Sequence, residues 1–245
     1  MTFSSQRGLG LVELMVGITV GLIVAAGASM VAVNQINEHR RLMLETQIQQ
    51  DLRTAADLLQ QDLRRAGFRG LTEQGVWAPP SAVGTAAEQA SKTASANPYI
   101  SVVKADTPGA LSLTYMYARY SGGGLFGAEV PRDAEHFGFK WDKSSKTLYL
   151  RIGSTDGQDN WLPITDPDSV RITDFDIEVT SQPTNVGDFC DKPCGTASTP
   201  ACPIHEVRQV KFTLVGEARH DSNVKRTLSG VERLRADSIS GACPA

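Results

Sequence analysis

The side chains of this 245-residue chain that are equipped for chemistry fall into a few small groups. Cys190, Cys194 and Cys202, followed by His205, combine Cys-x3-Cys with Cys-x2-His, ligand types that zinc accepts; together with Cys243 the same thiols allow two disulfides in three pairings. Asp156, Asp159 and Asn160 offer oxygens of the kind calcium uses. The EF-hand spacing and its closing glutamate are missing, and Asp156-Gly157 reads equally as a hairpin turn. Gly122, Gly124 and Gly127 satisfy G-x-G-x-x-G formally. A dinucleotide site needs a helix opening at the third glycine, whereas strand-like sequence follows near His136, so an inter-strand loop is the reading. His39, His136, His205 and His220 are scattered, and no nucleophile motif accompanies them. The expectation is a protein that is not an enzyme and holds no cofactor or metal.

One more residue stands out by its surroundings. Glu13 is the single charge in an apolar stretch that then runs uncharged from Leu14 to Val33, twenty residues, about the number that crosses a hydrocarbon core of roughly 30 Å. An acid there calls for a partner. Cutting the chain between Gly8 and Leu9 would create an α-amine four residues before Glu13, on the same helix face.

Arg7-Gly8 followed by Leu9-Gly10-Leu11-Val12-Glu13-Leu14 and the apolar run resembles the class III leader of type IV pilins and type II secretion pseudopilins. The resemblance implies cleavage after Gly8 by a prepilin peptidase, N-methylation of Leu9, and a filament-assembly role for Glu13. Leu9 stands where phenylalanine is commoner, and Met30 where many major pilins carry proline. Two other readings use the same segment: a secretory signal cleaved at "AGAS", which would place Glu13 inside its apolar region, and a plain signal anchor. Arg7 on one flank and Arg40 and Arg41 on the other do not decide orientation.

The elements that position these groups follow from periodicity. Leu44, Ile48, Leu52, Ala55, Leu59, Leu63 and Ala66, spaced 4, 4, 3, 4, 4 and 3, form one stripe of a helix, and Gly67 and Gly70 offer its stop. A helix from Leu9 to Ala66 would be about 87 Å long. Its residues 9–36 form the transmembrane and assembly half, with Gly17, Gly21 and Ala25 on one face, and residues 37–70 the half that packs on a head. Residues 71–108 are Ala-, Ser- and Thr-rich and read as a connecting loop. In the β-rich head, 109–245, apolar alternation marks strands at Leu111 to Tyr117, Leu148 to Ile152 and Val210 to Leu214. A parity shift predicts a bulge near Thr173 and Asp174, and "VKRTLSGVERLRA" reads as the last strand. The fold class is α+β, with one long N-terminal helix packed on an antiparallel sheet. A pilin-like fold has that shape, and the order of head segments is similar to the PilW group of minor pilins and to J-type pseudopilins.

The resemblance places the four cysteines on the oxidising side of the membrane, which favours disulfides over zinc. The preferred pairing joins Cys190 with Cys194 or Cys202, and a remaining loop cysteine with Cys243. Net charge is −3, and the basic residues between Arg208 and Arg235 interleave with acids, so nucleic acid is not an expected partner. The expected function is that of a minor pilin, PilW-like, in a complex that primes pilus assembly near the filament tip. Implied partners are other minor and major pilins, the prepilin peptidase, the inner-membrane assembly platform and a tip adhesin. The implied location is the bacterial inner membrane with a periplasmic head, then the extracellular pilus. A J-type pseudopilin and a membrane-anchored periplasmic binding protein or enzyme are the alternatives.

Overall fold

The computed structural model describes residues 10–70, 97–119, 131–190, 192–194 and 202–241. The chain divides into two compact units, residues 1–47 and 48–245. The first consists, among its described residues, of helix α1 (Leu11–Leu63) as far as Gln47; every residue from Gly10 to Met43 is exposed. With Leu11 at 75% and Ile23 at 71% exposure, this apolar surface is uncovered by the described residues and is suited to lipid or to other helices. The segment is long and apolar enough to cross a membrane.

The second unit begins where α1 acquires a buried stripe. Ile48, Leu52, Ala55, Ala56, Leu59 and Leu63 are each at most 3% exposed, at the spacing predicted for the stripe. The α-helix ends at Leu63, not at Ala66, because the following N–H groups of Arg65 and Ala66 bond three residues back, to Asp62 and Leu63, and tighten the last turn. Gly67 then takes φ +80° and donates its N–H to Met116 O at 2.8 Å; a Cβ here would lie 2.3 Å from Ala236 Cβ.

Two antiparallel sheets replace the single sheet expected. β1 (Val102–Asp106), β2 (Ala110–Met116), β3 (His136–Asp142), β4 (Thr147–Thr155) and β5 (Gln158–Pro163) form a five-stranded meander in sequence order. β6 (Val170–Asn185), β7 (Ile204–Ala218) and β8 (Asp221–Arg233) form the second sheet, and β9 (Ser238–Ser240) pairs with the start of β7. The bulge lies between Ile172 and Asp174, where parity shifts in the sequence. Asp156 (φ 51°) and Gly157 (φ 76°) form the hairpin turn between β4 and β5, both in the left-handed region that a two-residue I′ loop requires.

Two expectations fail locally. β1 lies within the segment read as a loop, since Val102 and Val103 precede exposed positions and the strand is held by backbone pairing with β2 without apolar alternation. β8 is followed by β9, three residues too short to carry a periodic signal.

The sheets meet along β6. Trp141 Nε1 on β3 donates to Ile172 O at 3.0 Å, and Lys104 Nζ on β1 donates to Ile177 O at 2.5 Å. On β7 and β8, glycines admit α1: a Cβ on Gly216 would approach Ile48 and Leu52 to 3.4 and 3.2 Å, and one on Gly230 would stand 2.8 Å from Gln60 Nε2.

Candidate functional site: the N-terminal acid and the head

Glu13 lies in the first turn of α1, opened by Leu14 N–H donating to Gly10 O at 3.1 Å, and is exposed. The helix N-terminus carries about half a positive charge, which favours an acid in that turn. Gly8 and Leu9 lie outside the described residues. What the arrangement can do is present one carboxylate at the end of an exposed apolar rod, where low dielectric makes a nearby ammonium a strong partner.

The head end of the same helix bears an acid with a different task. Asp62 is largely buried, and its carboxylate accepts hydrogen bonds from Tyr115 Oη and, at 2.8 Å, from Tyr117 Oη, both presented by β2 and its extension. Burial raises the Asp62 pKa above its ordinary value, and the two hydroxyl bonds act against that rise. Burial likewise pushes both tyrosines up, and the neighbouring carboxylate adds to it. Tyr117 stacks on Phe137 with ring centroids 3.8 Å apart, so the network is walled by aromatic surface.

A second buried carboxylate, Glu135, is 1% exposed and accepts from Tyr99 Oη at 2.8 Å, Arg132 N–H at 2.8 Å and Arg119 N–H at 3.1 Å. Arg208 reaches from β7 to Ile100 O at 2.6 Å and Ala236 O at 3.0 Å, and burial lowers its pKa. These groups hold segments of the head together. Sequence reading missed all three: Asp62 is one of several polar residues beside the stripe, and only the fold shows that it points inward.

The cysteines depart from the preferred pairing. Cys194 is bonded to Cys202, with Cα atoms 5.7 Å apart, and Cys190 is also disulfide-bonded. A Cβ on Gly187, in the short turn Gly187–Phe189, would lie 3.2 Å from Cys194 Cβ and 3.6 Å from Cys202 Cβ, so both cysteines pack beside that turn. Cys243 lies outside the described residues. The zinc reading fails because Cys194 and Cys202 are oxidised, while His205 Nε2 faces Asp237 Oδ2 at 3.1 Å. Of the oxygens considered for calcium, Asp159 faces Arg151 at 2.5 Å and Asn160 donates to Thr155 Oγ1. The glycine run 122–127 is outside the described residues. Of the basic residues between 208 and 235, Arg233 pairs with Asp237 at 2.7 Å and Lys225 with Glu217 at 3.4 Å.

One apolar N-terminal helix with an acid in its first turn, carrying antiparallel sheets on its second half, defines a pilin-like α+β protein. A model of the prokaryotic N-terminal methylation motif matches residues 3–29, which include Gly8, Leu9 and Glu13. The model of prepilin peptidase-dependent protein B matches residues 41–234, and the chain belongs to that family. No curated protein and no solved structure matches the chain significantly.

Proposed function

We propose that this protein is a minor pilin of the type IV pilus, PilW-like, a structural subunit without catalysis of its own. It acts in a complex of minor pilins that primes assembly and sits near the filament tip, supporting twitching motility and adhesion. The observation that supports this reading most is Glu13 in the first turn of α1, five residues after the glycine of a matched methylation motif. The peptidase cuts after Gly8 and Leu9 is methylated. The new amine of one subunit and Glu13 of the next then neutralise each other as the apolar helices come together, which offsets the desolvation of both. The head stays in the periplasm until assembly, and the partners are other minor and major pilins, the inner-membrane platform and a tip adhesin.

The second reading is a J-type minor pseudopilin of a type II secretion system, which shares the leader and helix and differs in what the filament moves. A deletion strain separates them. Lost twitching with normal exoprotein secretion supports the pilin, and the reverse supports the pseudopilin. A membrane-anchored binding protein or enzyme, the reading from another class, would require an activity retained by a head lacking residues 1–36.

A further inference from the structure

The five-stranded sheet is wider than α1, which shares the covering of its inner face with β6. Five strands at about 4.8 Å span about 19 Å from β1 to β5, roughly twice the breadth of one helix. α1 reaches the β2 side through Asp62 and the two tyrosines. Beyond it the buried face continues outward along the register: Phe139 pairs with Leu150 and Leu150 with Leu162, while Phe137 pairs with Ile152. Residues paired across antiparallel strands share a face, so Leu162 and Ile152 extend the same apolar surface as the two buried phenylalanines. Exposure rises from 0% at Phe139 to 49% at Leu162, and from 4% at Phe137 to 42% at Ile152. An apolar ledge therefore lies beside the covered core, on strands β4 and β5.

The chain also carries a matching surface. Val33, Ile36 and Met43, exposed by 56, 66 and 73%, lie on one face of α1 at or beyond the end of the uncharged run, with Arg40 between Ile36 and Met43 on that face. The ledge has an acid at its rim. Asp133 is exposed in the short turn before β3, and the Cα of the next residue, Ala134, lies 3.1 Å from where a Cβ on Gly153, the residue after Ile152, would stand. Apolar character and charge agree: a helix face bearing three apolar residues around one cation fits an apolar ledge with one acid at its edge.

We infer that the β4–β5 ledge docks the Val33–Met43 face of α1 from a second copy of this chain, with Arg40 of that copy against Asp133. The two sides of the contact are different surfaces, so it is heterologous and does not close on itself, the kind of contact from which open assemblies grow. The inference deepens the reading of the chain as an assembly subunit and rests on it for its biological meaning.

The test uses the full-length chain in detergent micelles, as a mixture of isotopically light and heavy copies with p-benzoylphenylalanine in place of Leu162. Illumination is expected to give light–heavy adducts that map to the peptide containing Val33 to Met43. Ile152→Glu, which places an unpaired carboxylate in the contact, should lower adduct yield by about tenfold or more with the melting temperature of the head kept. Asp133→Arg should lower it about fivefold, and adding Arg40→Asp to the same chain should restore it to within about twofold. Adducts mapping elsewhere, no adducts, or failure of the charge exchange to restore yield would each overturn the docking. The reading under Proposed function fails on a different measurement, an unprocessed N-terminus or normal twitching in the deletion strain.

Discussion

Tyr117 Oη donates to Asp62 Oδ1 at 2.8 Å across 55 positions of sequence, and Tyr115 donates to the other oxygen of the same carboxylate. Through this acid the rotation of α1 about its own axis is tied to the position of β2. Asp62→Ala leaves the buried Tyr115 hydroxyl without its acceptor, a loss of about 1–3 kcal/mol. The expected drop in melting temperature is about 2–4 °C per kcal/mol for a chain of this size, read by calorimetry.

The same carboxylate has a pH signature. Its folded pKa is raised by burial, so in the window between the unfolded and folded values the native state binds more protons than the unfolded state. Its stabilising contribution is therefore complete below the unfolded value and is lost as pH rises through the folded one. Relative to Asp62→Asn, the wild type should gain stability as pH falls from 7 toward 4, measured by denaturant unfolding at each pH. A difference that stays constant, or runs the other way, contradicts the assignment.

Gly230 on β8 faces α1 and Phe212. A Cβ there would lie 2.5 Å from Phe212 Cζ and 2.8 Å from Gln60 Nε2. Gly230→Val is expected to destabilise the head by about 1–3 kcal/mol through overpacking. Val231→Thr, one position along on an exposed site, should stay within about 0.5 kcal/mol.

The Cys194–Cys202 bond closes a short loop, with a sequence separation of 8. Loop-closure entropy assigns it about 2–3 kcal/mol. Replacing both cysteines by serine should lower the midpoint of head unfolding accordingly. Peptide mapping of the oxidised wild type should recover the 194–202 pair; recovery of Cys190 joined to either would refute the connectivity.

Gly8→Val should accumulate in the membrane as unprocessed precursor, because a side chain at the scissile position obstructs the peptidase's approach to the backbone. Mass spectrometry of the N-terminus reads the result directly, with methylated Leu9 as the wild-type product. A processed band in the variant would remove Gly8 from the cleavage site.

Glu13→Val should be cleaved after Gly8 and remain inserted, since losing an ionisable group eases insertion into lipid. Entry into minor-pilin complexes and sheared filaments should fall steeply, because the amine of the neighbouring subunit then lacks its counter-charge. Wild-type incorporation of this variant would reduce Glu13 to a tolerated residue.

The N-terminal third was legible because its signals are local. A membrane-length uncharged run, one acid at a fixed distance from a glycine, and an apolar stripe repeating every three or four residues depend only on neighbours in sequence, and α1 with its buried stripe follows. The bulge at Ile172 to Asp174 and the turn at Asp156-Gly157 were readable for the same reason: each is a property of two or three consecutive residues. Edge strand β1 and the short β9 escaped because backbone pairing places them, and pairing leaves no periodic trace in side-chain type.

By itself, then, the sequence determined the N-terminal methylation motif, the helix and the α+β class, all of which arise from interactions over a few residues. Only the tertiary structure decided that the head has two sheets, that Cys194 meets Cys202, and that Asp62 lies under Tyr115 and Tyr117. Those choices depend on which distant segments share one desolvated core, where an acid must find its donors or be protonated, and no spacing along the chain encodes that meeting.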